Sequence, residues 1–381
     1  MNLRLVERLV NAVLYEGYIL YPYRPSAVKN QQRFNFGALC PESYSRAQQG
    51  TEAWSMQTEC LVTGGPHAAI DVKGRFLHLL AREVGVPIAD CGLRIADWEE
   101  VNWQASGFES HFRIVESLEV EGQLFQTWQE AIEREVSAPS LNLNDLAREA
   151  RQITFAFPAT REVEALREAS GKIIGVIARK QEAVEGVLEL RAEKLSNPQF
   201  AIAARAAHRR YGNPQWFKLT VRILNRTRLQ AATAKRRDEA LLQSLVSTHT
   251  ILGVRDGEFV SLLDPPEALR ELAATCQNVG TWPVLVGEAG ERDCLLSSPI
   301  ILYDYPEIAP ESPGDLFDAT EIDEILTLRI MTLTEEEKRA MRGLDEHARR
   351  ILERTETLAA EQMMKMHGAM RRPASTPEDE R

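Results

Sequence analysis

The chain has 381 residues, of which 44% are hydrophobic and 27% charged, and its formal net charge is −11. That length allows two or three domains and a sizeable buried core, and no window reaches the ~18 consecutive apolar residues that a membrane span needs. The acidic balance argues against general nucleic-acid binding, although a local basic patch can override a total.

The opening segment, MNLRLVERLVNAVLYEG, alternates charge with apolar residues and has no apolar core or cleavage site of a signal peptide. Leu3, Val6, Leu9, Val10, Val13 and Leu14 fall on one face of an amphipathic helix. A cytoplasmic location is expected.

Next comes an aromatic-cationic stretch, Tyr15–Cys40, with Tyr15, Tyr18, Tyr21, Tyr23, Phe34 and Phe36 set among Arg24, Lys29 and Arg33. Pro22 and Pro25 fix their own φ and push the preceding residues toward extended geometry. The segment therefore leaves the helix extended, and Arg33–Leu39 reads as a first strand. Core and edge packing is one use for these rings. Tyr and Arg are also favoured at interface hot spots, which makes Tyr21, Tyr23, Arg24 and Arg33 candidate partner-binding residues.

Trp54, Met56, Thr58, Cys60 and Val62 alternate with Ser55, Gln57 and Glu59, the pattern of a half-buried strand. Thr63-Gly64-Gly65-Pro66-His67 reads as a turn, with no lysine to close a phosphate loop. Further strands are expected at 68–72, 75–84, 111–118, 153–157, 172–178, 184–195 and 217–225. Alternation with one wet face is typical of antiparallel sheets, and several such strands at short spacing suggest a sandwich.

Between Ser196 and Arg237 stand ten basic residues and no acid, with His208, Tyr211, Trp216 and Phe217 among them. Cations on phosphates with rings for stacking would make this a nucleic-acid surface. The rival reading is a basic face for an acidic partner or for this chain's own acidic segment. It assigns Arg209, Arg210, Arg226 and Arg228 to that contact. The acidic segment is Tyr303–Glu324, with eight acids, no base, and Pro306, Pro310 and Pro313.

A helix over 238–245 leads to two runs, 247–254 and 258–263. Asp256-Gly257 between them predicts a hairpin, since glycine supplies the positive φ such a turn needs. Asp264 is placed to cap a helix to about Cys276, and strands at 283–287 and 294–303 complete a β-β-α-β-β unit. Thr334-Glu335-Glu336-Glu337 is a capping box that opens helices over 335–342, 345–356 and 358–369. Met363, Met366 and Met370 make a packing stripe on the last, and residues 372–381 read as a disordered tail.

The expected fold is α+β, a mainly antiparallel β-sandwich-like body with short helices and a helical C-terminal arm. Its divisions are an N-terminal region over 1–145, a β-rich domain over 146–305, an acidic linker over 306–333, an arm over 334–371 and the tail. Five cysteines, at 40, 60, 91, 276 and 294, include no close pair of the kind zinc or iron–sulfur sites use. No GxSxG elbow, HExxH helix, P-loop or Rossmann fingerprint occurs. No catalytic residue, metal or cofactor is assigned, and His111, His208 and His249 are read as structural. An enzyme with a pocket beside the N-terminal aromatic segment stays open as an alternative.

Two stretches, LYEGYILYPYRPSAVKNQQRFNFG (14–37) and SSPIILYDYPEIAPESPGDLFDATEIDEILTLRIMTLTEEEK (297–338), carry a resemblance. They resemble a family of uncharacterised proteins encoded beside nickel-iron uptake hydrogenases in soil bacteria, including actinobacteria and acidobacteria. The resemblance brings no catalytic residues. It implies an accessory role, in assembly, maturation or scaffolding of a multisubunit redox enzyme, with hydrogenase subunits or maturation factors as partners.

Overall fold

The computed structural model describes residues 3–15, 37–88, 111–196, 211, 214–307, 327–328, 330–343, 346–358 and 361. Its organising element is β1, a single strand from Ser55 to Pro87. Strands β10 (Gln215–Asn225), β5 (Trp128–Asn142) and β2 (Phe112–Val115) follow one another along one of its edges. Along the other edge lie β11 (Val246–Phe259) and β8 (Ile173–Gln181). All these pairings are antiparallel, and β9 (Val184–Leu195), β6 (Arg151–Phe157), β7 (Thr160–Arg167), β12 (Trp282–Leu285) and β13 (Cys294–Ser298) extend the same sheet. The α+β, sheet-dominated class is as expected. β1 pairs with strands on both sides of residue 145, so the expected division at 145 falls inside one hydrogen-bonded sheet.

The turn expected at 63–67 does not form, and neither does the hairpin at Asp256-Gly257. The two sites meet each other instead. Gly64 pairs with Gly257, and the register resumes at Ala69 with Arg255, so residues 65–68 bulge against Asp256 alone. A Cβ on Gly64 would lie 2.6 Å from the Asp256 carbonyl oxygen, and one on Gly257 2.6 Å from that of Thr63. Only glycine lets the two backbones approach so closely. Pro66, which has no amide hydrogen for a ladder, sits exposed on the bulge.

The bulge bends the sheet so that its halves pack on one another. Ile223 of β10 reaches Gly74 of β1, its Cδ1 3.1 Å from where a Cβ would stand. Phe76 meets Phe155 and Phe157 of β6 at ring-centre distances of 5.8 and 5.9 Å. Met56, Cys60, Val62, Ile70, Val72, Leu188, Leu190, Phe217 and Leu219 fill the space between. Alternation within β9 is as expected, with Val184, Gly186, Leu188, Leu190 and Ala192 buried.

Helix α1 (Leu3–Leu14) lies on the outer face of the second half. Its Val6, Leu9, Val10 and Val13 pack on Val284, Val286, Cys294, Leu296 and Leu302, and Leu14 on Leu77 and Leu79. Short helices α2 (Glu42–Ala47), α3 (Leu143–Arg148) and α4 (Arg237–Leu241) close the margins. The helix expected to reach Cys276 is only a 3-10 turn, Glu267–Leu269, and α5 (Arg270–Ala273), and Pro266 rather than Asp264 stands at the first N-cap.

A small hairpin of β3 (Ser117–Val120) and β4 (Gln123–Gln126) stands apart from the main sheet. Helices α6 (Glu335–Arg342) and α7 (Glu346–Glu356) dock beside it, burying Ile330, Met341, Ile351 and Leu352 with Trp128. The capping box forms as expected, the Glu337 amide donating to Thr334 Oγ1 at 3.2 Å and the Thr334 amide to Glu337 Oε2 at 2.9 Å. The Met363–Met370 stripe and the tail lie outside the described residues.

Candidate functional site

Of the residues proposed from sequence to bind a partner, Tyr21, Tyr23, Arg24, Arg33, Arg209 and Arg210 lie outside the described residues. Arg226 and Arg228 are exposed just beyond β10. Arg226 is engaged within the chain, 3.0 Å from Glu42 and with Cζ 5.2 Å from the centre of the Trp54 ring. The same holds along the basic stretch. Lys218 meets Glu59 at 3.4 Å, Arg222 meets Glu189 at 3.1 Å and Arg237 meets Glu52 at 2.7 Å. None of these acids belongs to the 303–324 segment. Asp304, its first acid, instead accepts from the Leu285 amide at 2.8 Å and from Ser261 Oγ. The pairing of basic stretch with acidic segment therefore does not hold for Arg226 or Asp304.

A charged groove runs beside α1. That helix covers β12, β13 and part of β11, and leaves the adjoining strip of β1 and β5 open. Asp71, Lys73 and Arg75 alternate along β1 on this face, with Ile251 and Gly253 of β11 paired beside them. Val6, Glu7 and Asn11 form one wall and Glu133 and Glu135 of β5 the other, around a volume of about 310 Å³. Arg75 spans the floor, donating to Asn11 Oδ1 at 2.8 Å and to Glu133 Oε2 at 2.7 Å. Lys73 meets Glu135 at 3.2 Å, while Asp71 faces Arg255 at 3.4 Å. Tyr15 donates to Glu133 at 2.9 Å, tying the end of α1 to the same wall. The groove's own cations are thus taken up by two of its four carboxylates. It presents charge and hydrogen-bonding groups, and among the described residues its lining holds no serine, threonine or cysteine.

Opposite Arg75 in the ladder stands His249, which hydrogen-bonds to Ser298 on β13, Nε2 to Oγ 3.2 Å. Its Nδ1 lies 2.6 Å from the Ser247 carbonyl oxygen. A serine, an imidazole and a group that orients it are what nucleophilic catalysis requires. Both side chains, however, are 0% exposed, and Ser298 Oγ already accepts from the Ile300 amide at 3.1 Å. Burial also pushes the His249 pKa down to about 4. The neighbouring Ser297, whose side chain points to the other face of β13, makes a separate buried polar group with Thr58 and Thr281, each 2.7 Å from its Oγ. The structural reading of His249 holds.

The described cysteines are free thiols. Burial pushes Cys40 and Cys276 up to about 11 and Cys294 up to about 12, and raises Cys60 as well. They are protonated at neutral pH and poor nucleophiles.

The open margin of the sheet is apolar. β12 is its edge strand. Trp282 on it is 45% exposed, Val279 just before it 55%, and Ile301 and Tyr303 after β13 reach 70% and 83%. The chain after β13 turns back along β12, the Tyr305 amide donating to the Leu285 carbonyl at 2.7 Å.

No protein-family model matches the chain, and no curated protein matches it. Site assignment therefore rests on this chain's own geometry.

Two of these features are hard to see in the sequence. Asp71, Lys73 and Arg75 form an alternating set in DVKGR, but Gly74 breaks the pattern between the expected strands 68–72 and 75–84. Trp282 carried no local signal, because its exposure follows from β12 being an edge. Among the described residues no helix is long and apolar enough to cross a membrane.

Proposed function

We propose that this chain is an accessory or assembly protein that binds subunits or maturation partners of a nickel-iron hydrogenase. The observation that carries the reading is the apolar margin along β12. Large exposed apolar residues grouped at one border are a mark of interaction sites. Ile301 and Tyr303 fall within the second stretch that resembles the hydrogenase-associated family. Aromatic residues of this kind dominate binding energy at interfaces.

Nucleic-acid binding through the basic stretch has less in its favour, because Lys218, Arg222, Arg226 and Arg237 are already held by carboxylates of the same chain. The test is affinity purification from a host expressing its hydrogenase, with the Trp282→Ala/Tyr303→Ala double variant beside the natural protein. Partner recovery is expected with the natural protein and a tenfold or greater loss with the variant. Equal recovery from both removes the β12 margin from the account.

A further inference from the structure

The buried and half-buried arginines here are generally paired. Arg82, 3% exposed, meets Glu130 at 3.3 Å, Arg75 meets Glu133 at 2.7 Å, and Arg179 meets Glu130 at 2.9 Å. Arg134 departs from that pattern. It is partly buried on the core-facing side of β5, and among the described residues no carboxylate lies within ion-pair distance of it. Its side-chain partner is neutral, Nη2 donating to Gln181 Oε1 at 2.6 Å. The Phe157 ring centre lies 4.7 Å from Cζ, and Nε is buried with no partner. Burial holds its pKa below the usual guanidinium value. A cation taken from water is unfavourable unless an anion meets it.

His78 stands beside it. In the β1–β5 ladder Arg134 is opposite Phe76 and Ile132 opposite His78, so the two are diagonal neighbours on one face. His78 is 0% exposed, and neither ring nitrogen makes a hydrogen bond. The backbones of Glu182 and Leu242 approach the ring without reaching hydrogen-bond geometry. Burial first, and Arg134 second, push its pKa down to about 4, so at neutral pH it is an uncharged imidazole with one N–H to give. Glu182, whose charge acts on this ring, is taken by Lys180 at 2.6 Å.

We propose that Arg134 and His78 form a binding site for a small oxyanion, a carboxylate or phosphate group, between β5, β8 and the turn that joins β6 to β7. The guanidinium is pre-set for this. Gln181, which orients it, is itself fixed by donating Nε2 to the Pro158 carbonyl at 2.5 Å, and Phe157 stacks on its plane. The planar fork of an arginine suits carboxylate and phosphate oxygens. An oxyanion accepting from Arg134 Nε and from the His78 ring would satisfy both orphaned groups and supply the missing counter-charge. The inference does not depend on the partner reading above.

The test is titration of the full-length protein with inorganic phosphate and, separately, sodium acetate, with chloride at matched ionic strength as the control. Binding is read from the Arg134 Nε–H resonance and from Tm. One of the two anions is expected to move that resonance and to raise Tm by about 3 °C near saturation, and the arm that responds identifies the class. Arg134→Gln is expected to lose the Tm response, and Arg134→Lys, which keeps the charge without the fork, to bind at least tenfold more weakly. No movement of the resonance with either anion, or an undiminished Tm response in Arg134→Gln, overturns the proposal. Should Arg134→Gln not fold, the resonance titration on the natural protein decides alone.

Discussion

Arg82, on the sheet, donates Nη2 to the carbonyl oxygen of Gly343 at 2.8 Å, across 261 positions of sequence. Gly343 is the C-cap of α6, where carbonyls lack helical partners and a cation is favoured. A Cβ at Gly343 would collide with the Leu124 carbonyl oxygen, so glycine also allows the close approach. One buried guanidinium therefore fastens the C-terminal helices to the β body.

Replacing Arg82 by Met should release that fastening and leave Glu130 with Arg179 alone. Loss of one member of a buried ion pair costs on the order of 3 kcal/mol. Hydrogen exchange over 335–356 should rise well before that of β9 and β10. Equal protection in both regions would mean that the apolar cluster around Trp128 holds the helices without the arginine.

The bulge where Gly64 meets Gly257 should tolerate no side chain. Gly257→Ala is expected to destabilise by about 2 kcal/mol, because a methyl forced into packed backbone needs main-chain movement. Chemical denaturation measures it. A change below about 0.5 kcal/mol would show that β11 shifts freely at this point.

Acid should destabilise the protein through His78 and His249. Burial pushes both down to about 4 in the fold, against about 6.5 for an exposed histidine. The unfolded chain therefore binds more protons between those values, so their contribution is complete above about 6.5 and is lost as pH falls toward 4. Each histidine adds a slope of about 1.4 kcal/mol per pH unit in that window. Carboxylates titrate at its lower end, so the informative quantity is the difference between the natural protein and His249→Asn. An unchanged slope would place the His249 transition elsewhere.

The basic stretch should bind nucleic acid weakly. Four of its described cations, Lys218, Arg222, Arg226 and Arg237, are paired at 2.7 to 3.4 Å with Glu59, Glu189, Glu42 and Glu52. No gel shift of a random duplex or single strand is expected at protein concentrations up to about 1 μM in 50 mM salt, and a strongly salt-dependent shift there would restore that function.

What could be read in advance follows from how local each signal is. Val184–Leu195 alternates cleanly because one face is core and the other water, and the Thr334–Glu337 capping box is decided within four residues. β5 carries no clear strand pattern in the sequence because Glu133 and Glu135 on its outer face find their cations, Arg75 and Lys73, only across the ladder. β1 looked interrupted because Gly64, Gly65 and Pro66 are turn residues in isolation. Pairing with a second glycine site 193 residues later turns them into a bulge. Edge status, which exposes Trp282, and the unpaired state of Arg134 are properties of the assembled sheet.

Binding of other proteins through the β12 margin is the proposed mode of action. Quantitative mass spectrometry of proteins recovered with it from hydrogenase-expressing cells, natural protein against Trp282→Ala/Tyr303→Ala, tests that most directly. Hydrogenase subunits or maturation factors should be enriched with the natural protein and fall at least tenfold with the variant. Their absence from the natural protein's eluate, with the protein folded and abundant, would contradict the account.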